Sequence, residues 1–262
     1  MKHLKLILAL LITPFVAQAQ NHQIIDQAGA FHSLQIEQPG MDNLTHIVQR
    51  GEGQFSHIIQ YGDENWSYTS QQDILNDVYI EQHRNNNYSM QFQGGEGNSV
   101  YIIQGGSNGW IYVEQFGNFN TADAFQLDTD QSSLEQFQWG NNNSLQALQG
   151  FGSNDVSWQA QYGNDNTARI EQTTGTSWDS WAVQYQEGNR NYAEIGQFDG
   201  AHYAEIEQYG NINNALIFQG GTNNLGYIGQ WGNSNYAEIM QTGTDARTII
   251  TQIGNDNRTS IR

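Results

Sequence analysis

The residues of this 262-residue chain whose type and spacing could do chemistry are carboxamides. Glutamines recur every eleven positions, at 27, 38, 49, 60, 71, 82, 93, 104, 115 and 126. The series goes on at 138, 149, 161, 172 and 186, then returns to strict elevens at 197, 208, 219, 230, 241 and 252. A carboxamide neither ionises nor attacks a substrate; it offers two N–H donors and one acceptor oxygen. Left unpaired in an interior it costs roughly 1–3 kcal/mol. Amides stacked at one phase remove that cost by bonding to one another as a ladder. The chemistry that this spacing can perform is therefore self-recognition.

Other chemistries have weaker support. His46 and His57 stand eleven apart, which puts them on opposite sheets, and with His32 and His83 they give no metal-ligand spacing. Glu194, Glu205, Glu207 and Glu238 could be read as carboxylate pairs of a carbohydrate-cleaving β-helix, but alternate acids on a strand also describe a solvated charged face. No calcium loop, phosphate loop or nucleophile elbow is present. No catalytic residue, metal or cofactor is expected, and the chain is not read as an enzyme.

The element that must position the amides follows from a step of two. Before Gln197 stand Ile195, Ala193 and Asn191; before Gln241 stand Ile239, Ala237 and Asn235. Side chains of a β-strand alternate between faces, so Asn, a small residue, Ile and Gln share one face. Tyr192, Glu194 and Gly196, or Tyr236, Glu238 and Met240, take the other. Seven strand residues and four turn residues make eleven, and two such units make a 22-residue strand–turn–strand rung. A rung cannot bury its inner face alone; stacked rungs do so at about 4.8 Å spacing. Gln/Asn-rich disorder is the competing reading, but disorder does not require isoleucine at a fixed phase. The fold class is all-β: a two-sheet, amyloid-like β-solenoid of about eleven rungs.

The two turns of a rung differ. From Gln115 onward every second turn reads Gly-Asn-x-Asn, with glycines at Gly117, Gly140, Gly163, Gly188, Gly210, Gly232 and Gly254. Glycine there suits positive φ. The alternate turns vary, and all three breaks in the spacing fall in them, where an inserted residue does not flip a buried face. One edge is thus strict and the other permissive. On the strict edge Phe116, Trp139, Tyr162, Tyr209 and Trp231 follow the glutamine and are expected to stack along the axis. The candidate amide ladder comprises Gln115, Asn120, Gln138, Asn143, Gln161, Asn166, Gln186, Asn191, Gln208, Asn213, Gln219, Gln230, Asn235, Gln241, Gln252 and Asn257. Between 127 and 186 the pattern loosens: Ala124, Gln136, Ala147, Gln159 and Gln184 replace the isoleucine, and Trp158, Trp178 and Trp181 gather. This stretch reads as a softer part of the same solenoid or as an aromatic binding face.

These residues resemble the curlin repeat, S-x5-Q-x-G-x-x-N-x-A-x3-Q, of curli, the extracellular amyloid fibres of bacterial biofilms. Gln208, Gly210, Asn213, Ala215 and Gln219 match its second part, as do Gln230, Gly232, Asn235, Ala237 and Gln241, and Gln161, Gly163, Asn166, Ala168 and Gln172. The leading serine is mostly replaced; Ser132 and Ser180 retain it. The resemblance spans about residues 25 to 262. It implies a solenoid that polymerises rung on rung, with itself, another curlin subunit, an outer-membrane export channel and accessory export factors as partners. Curli subunits of the major type often carry a Gly-rich leader; here the repeats follow closely on the N-terminal segment, which leaves a minor, nucleating subunit as the alternative.

Residues 1–19 read as a secretory signal: Lys2 and Lys5, an apolar run from Leu4 to Val16, and small residues at Ala17 and Ala19. The apolar run is too short to span a bilayer. Residues 20–262 are expected to form one repeat domain, secreted to the cell surface. Both lysines fall in the signal, there is no cysteine, and the formal charge is −18. Such an acidic chain disfavours nucleic acid as a partner and stays soluble before assembly. Beyond the signal Pro39 alone interrupts strand pairing. Arg247, Arg258 and Arg262 make a basic end on an acidic rod. No capping helix or polar end rung is visible, so both ends are expected to template further strands. A monomeric solenoid that binds or cleaves surface polysaccharide is the reading of another class.

Overall fold

The computed structural model describes residues 20–173 and 179–262. The secretory signal read in residues 1–19, and Trp178 of the aromatic group, lie outside the described residues. In chain order the first strands are β1 (His22–Ala30), β2 (Ser33–Glu37), β3 (Leu44–Glu52), β4 (Phe55–Gln60), β5 (Trp66–Ile74), β6 (Asp77–Gln82), β7 (Tyr88–Gly94), β8 (Ser99–Gln104), β9 (Trp110–Phe116), β10 (Thr121–Leu127) and β11 (Ser133–Asn141). They continue as β12 (Ser144–Gly150), β13 (Val156–Asn164), β14 (Thr167–Thr173), β15 (Trp181–Asn189), β16 (Tyr192–Asp199), β17 (Tyr203–Asn211), β18 (Asn214–Gly221), β19 (Leu225–Trp231), β20 (Tyr236–Gln241), β21 (Arg247–Ile253) and β22 (Arg258–Ile261). Odd strands form one parallel 11-stranded sheet and even strands a second. The described chain is therefore an all-β, two-sheet solenoid of eleven rungs.

Register follows the glutamines. Gln93 pairs with Gln115, then Gln115 with Gln138, Gln138 with Gln161 and Gln161 with Gln186 on the odd sheet. Gln104, Gln126, Gln149, Gln172 and Gln197 pair likewise on the even sheet. The extra residues at each break in spacing sit between an even strand and the following odd strand, so no buried face is displaced.

The space between the sheets is filled from both sides. The even sheet contributes Ile58, Ile80, Ile102, Ile170, Ile195, Ile217 and Ile239, and the odd sheet Ile47, Val113, Ile206, Ile228 and Ile250. Each fully buried isoleucine stabilises by about 1.5–3 kcal/mol relative to exposure. In the middle of the odd sheet the isoleucine position is taken by buried Gln136, Gln159 and Gln184, and on the facing sheet Ala124 and Ala147 replace isoleucine. Gln136 and Gln159 thus reach across beside Ala124 and Ala147, to Asp123 O and Gln146 O, a longer side chain facing a shorter one, whereas Gln184 reaches Arg169 O beside Ile170.

Candidate functional site

Alternation within each strand turns the glutamines inward, and parallel register sets each above its equivalent. On the odd sheet Gln27 Nε2 donates to Gln49 Oε1 at 2.6 Å, and Gln49 donates to Gln71 at 2.8 Å. The same bond links Gln71 to Gln93, Gln93 to Gln115, Gln115 to Gln138, Gln138 to Gln161 and Gln161 to Gln186. It goes on from Gln186 to Gln208, Gln230 and Gln252. The even sheet carries a second run, from Gln38 through Gln60, Gln82, Gln104, Gln126 and Gln149. That run extends through Gln172, Gln197 and Gln219 to Gln241. Every bond points from lower to higher residue number.

The second amide hydrogen crosses the core. Gln115 Nε2 also donates to Ser99 O, Gln138 to Thr121 O, Gln161 to Ser144 O, Gln186 to Thr167 O, Gln208 to Tyr192 O and Gln230 to Asn214 O. Gln219 and Gln241 reach Tyr203 O and Leu225 O. Each NH2 group therefore joins two rungs and two strands at once, the arrangement that a buried amide needs to offset its desolvation.

The ladder asparagines work differently from the expectation that equivalents bond side chain to side chain throughout. Their main partners are backbone groups one rung away. Asn120 Oδ1 accepts from the Asn143 N–H and Asn120 Nδ2 donates to Gly140 O. Asn143, Asn166, Asn191, Asn213 and Asn235 donate in the same way to Gly163, Gly188, Gly210, Gly232 and Gly254. Side-chain pairs such as Asn166 to Asn143 and Asn257 to Asn235 supplement these. The shorter side chain reaches the neighbouring turn more readily than the neighbouring amide.

The turn glycines meet two constraints. Gly117, Gly140, Gly163, Gly188, Gly210, Gly232 and Gly254 have φ between 106° and 132°. In addition, a Cβ on Gly163 would lie 1.9 Å from Gly188 O, because consecutive turns nest on one another. The third turn residue is also left-handed, even at Ile212, with φ 59°.

Three features go beyond the sequence reading. The first asparagine of the strict turn forms its own outer ladder, Asn141 to Asn164 to Asn189 to Asn211 to Asn233, at 2.9–3.0 Å; its recurrence in Gly-Asn-x-Asn was the available signal. Gln136, Gln159 and Gln184 make a short inner ladder at 2.9 and 2.8 Å, and Gln136 Oε1 is left without a donor because Val113 lies below it. His202 occupies an asparagine position on the permissive edge, 3% exposed.

The aromatic residues do not form the single column expected. Trp139 meets Tyr162 edge-on, centroids 4.7 Å apart, and Tyr209 stacks on Trp231 at 5.8 Å. Glu187 holds the intervening position, so Tyr185 bridges the gap from two residues earlier. The Phe116 ring folds back into the space beside Gly94. A tighter stack, Trp66–Tyr88–Trp110 at 3.9 and 4.3 Å, sits at the starts of β5, β7 and β9. Trp158 packs on Phe137, and Trp181 lines a cleft of about 190 Å³ with His202, Tyr203 and Arg247.

Outward carboxylates have partners. Tyr192 donates to Glu194 and Tyr203 to Glu205, and burial followed by these carboxylates pushes both phenols up to about 12. Glu194 also meets Arg169 at 3.2 Å, Glu207 accepts from Tyr227, and Glu238 accepts from Ser260. His46 and His57 lie on opposite sheets, edge-on to Tyr68 and Tyr79.

No curated protein matches the chain. The family model of the curlin associated repeat matches residues 211–243 and 221–254, which cover β18 to β21, and the remaining strands continue the same parallel register. Residues 211–254 carry the curlin associated repeat.

Proposed function

We propose that this chain is a non-enzymatic structural subunit of a curli-like extracellular amyloid fibre, secreted by way of residues 1–19 and adding to itself rung on rung in adhesion and biofilm matrix. The observation that carries this is the pair of unbroken glutamine ladders, one running from edge strand β1 to edge strand β21 and the other from Gln38, just past β2, to Gln241 on β20. Among the described residues, β1 and β2 pair on one side only, with β3 and β4, and β21 and β22 pair only with β19 and β20. Edge strands of this kind template further strands, and equivalent ends joined head to tail give an open filament. On this reading another curlin subunit, an export channel and accessory export factors are the further partners. Incubation of the purified 20–262 chain is expected to give fibrils, a thioflavin response and a reflection near 4.8 Å. A product that stays monomeric and soluble rejects the proposal.

Arg247, Arg258 and Arg262 favour a second reading, a minor subunit that nucleates another curlin. Seeding of a partner at low molar ratio, lost on truncation after Gln241, supports it. Polysaccharide binding by the monomer draws less support, because the Trp66, Tyr88 and Trp110 rings face one another and leave mainly their edges to a sugar.

A further inference from the structure

The parallel stack sets some tyrosines directly against tyrosines of the next rung. Tyr79 on β6 and Tyr101 on β8 are stacked, with centroids 4.8 Å apart and planes 16° apart. Tyr185 on β15 lies between Tyr162 on β13 and Tyr209 on β17, at 5.5 and 5.3 Å. All five are half-buried, accessible to small oxidants. One phenol of each group already donates to a carboxylate: Tyr79 to Glu81 at 2.8 Å and Tyr185 to Glu187 at 3.1 Å. The remaining aromatic rows differ. Tyr68 and Tyr112 are separated by Phe92, and Tyr112 is separated from Trp158 by Phe137, so no two phenols adjoin there. Tyr88 lies between two tryptophans. The chain holds no cysteine, so no disulfide can join rungs.

We propose that Tyr79 with Tyr101, and Tyr185 with Tyr162 or Tyr209, are sites of oxidative phenol coupling that stitch consecutive rungs covalently. The co-reactant is a peroxidase-type one-electron oxidant consuming hydrogen peroxide. Each phenol gives one electron to the oxidant. In Tyr79 and Tyr185 the proton passes along the existing hydrogen bond to Glu81 or Glu187, and from there to water. Two neighbouring phenoxyl radicals form a C–C bond between ring carbons ortho to oxygen. The hydrogen on each joined carbon then moves to oxygen, restoring two phenols. Two electrons and two protons leave per bond, and one peroxide becomes two waters.

The test is a linkage map of the folded 20–262 chain after treatment with a haem peroxidase and hydrogen peroxide, read by proteolysis and mass spectrometry. The expected products are peptides joined at Tyr79–Tyr101, Tyr162–Tyr185 and Tyr185–Tyr209, each two hydrogens lighter than the sum of its parts. Tyr185→Phe keeps the ring, removes the last two linkages and retains the first. Glu187→Gln slows coupling at Tyr185 several-fold relative to Tyr79–Tyr101 in the same sample. The urea-unfolded chain scatters its linkages. Linkages joining Tyr68 to Tyr112, the same map from the unfolded chain, or no inter-rung linkage at all would overturn the proposal. If Tyr185→Phe does not fold, the wild-type map alone decides. Because the linkages lie within one chain, this result is separate from the outcome for fibre formation.

Discussion

At the scale of single residues, the interior tests each side chain for both a donor and an acceptor. His202 passes that test only when neutral. Its Nε2–H faces Phe198 O at 3.0 Å, and its Nδ1 accepts from the Asn224 N–H at 3.2 Å, the two roles that an asparagine amide plays elsewhere. A proton on Nδ1 would set two donors face to face. Burial pushes the imidazole below its usual pKa of 6.5, against the Phe198 carbonyl and Asp199, which pull it up; Asp179, Tyr203 and Arg247 line the same cleft. With the folded value depressed, the unfolded chain takes up protons first. The stability that His202 contributes is complete above pH 6.5 and is lost as pH falls from there through the folded value. Denaturation at pH 7.5 and 5.5 should therefore show His202→Asn losing less stability than the wild type across that interval, with equal losses counting against the geometry. Gln208→Glu tests the ladder itself. Gln186 can still donate to position 208, but a carboxylate there would face Gln230 Oε1 and Tyr192 O without a hydrogen to offer. A loss of about 3–5 kcal/mol is expected near neutral pH, read as a fall in the denaturant midpoint and relieved in acid where the carboxyl regains its proton.

At the scale of the elements, strand and turn separate what sequence can and cannot show. The eleven-residue period marks strand face and register together, because side chains alternate by two and a slip by one would bury the wrong face. The glycine phase marks the strict turn, but positive φ is only half of its reason. The other half, the carbonyl of the next turn, exists only in the stack. Gly163→Ala should cost on the order of 3 kcal/mol, while Gly220→Ala, where an added Cβ meets nothing within 4 Å, should change stability by less than about 0.5 kcal/mol. Equal effects in thermal melts would remove the nesting argument. At Ile212 the left-handed backbone holds a β-branched residue, and Ile212→Asn is expected to gain about 1 kcal/mol. The glutamine column is legible because one residue type holds one phase. The Gln136–Gln159–Gln184 ladder is less so, since it lasts three rungs, between Val113 and Ile206 in the same column. The place of His202 in an asparagine column, and the detour of the aromatic row through Tyr185, depend on contacts between rungs that share no local motif.

At the scale of the whole molecule, the ladders have a direction. Gln27 and Gln38 donate upward to Gln49 and Gln60. At the other end Gln241 and Gln252 accept from below and turn their own NH2 groups to Thr248 and Thr259. Under the proposed function a second copy stacked with its β1 on β21 would give Gln252 the acceptor of Gln27 and set Ile25 over Ile250. Ile25 is 46% exposed at the open face, whereas Ile47, its equivalent one rung in, is 0% exposed. Ile25→Lys would place an ammonium in that dry column, where it must give up hydration without a partner. The chain should still fold through its inner rungs and still join wild-type ends through β21, and each copy so added should then refuse the next. Substoichiometric Ile25→Lys is therefore expected to shorten wild-type fibres and slow the thioflavin rise. Ile24, 51% exposed and one residue away, points outward because strand side chains alternate. Ile24→Lys should leave elongation unchanged, and equal growth of both variants would show that fibres do not extend through β1.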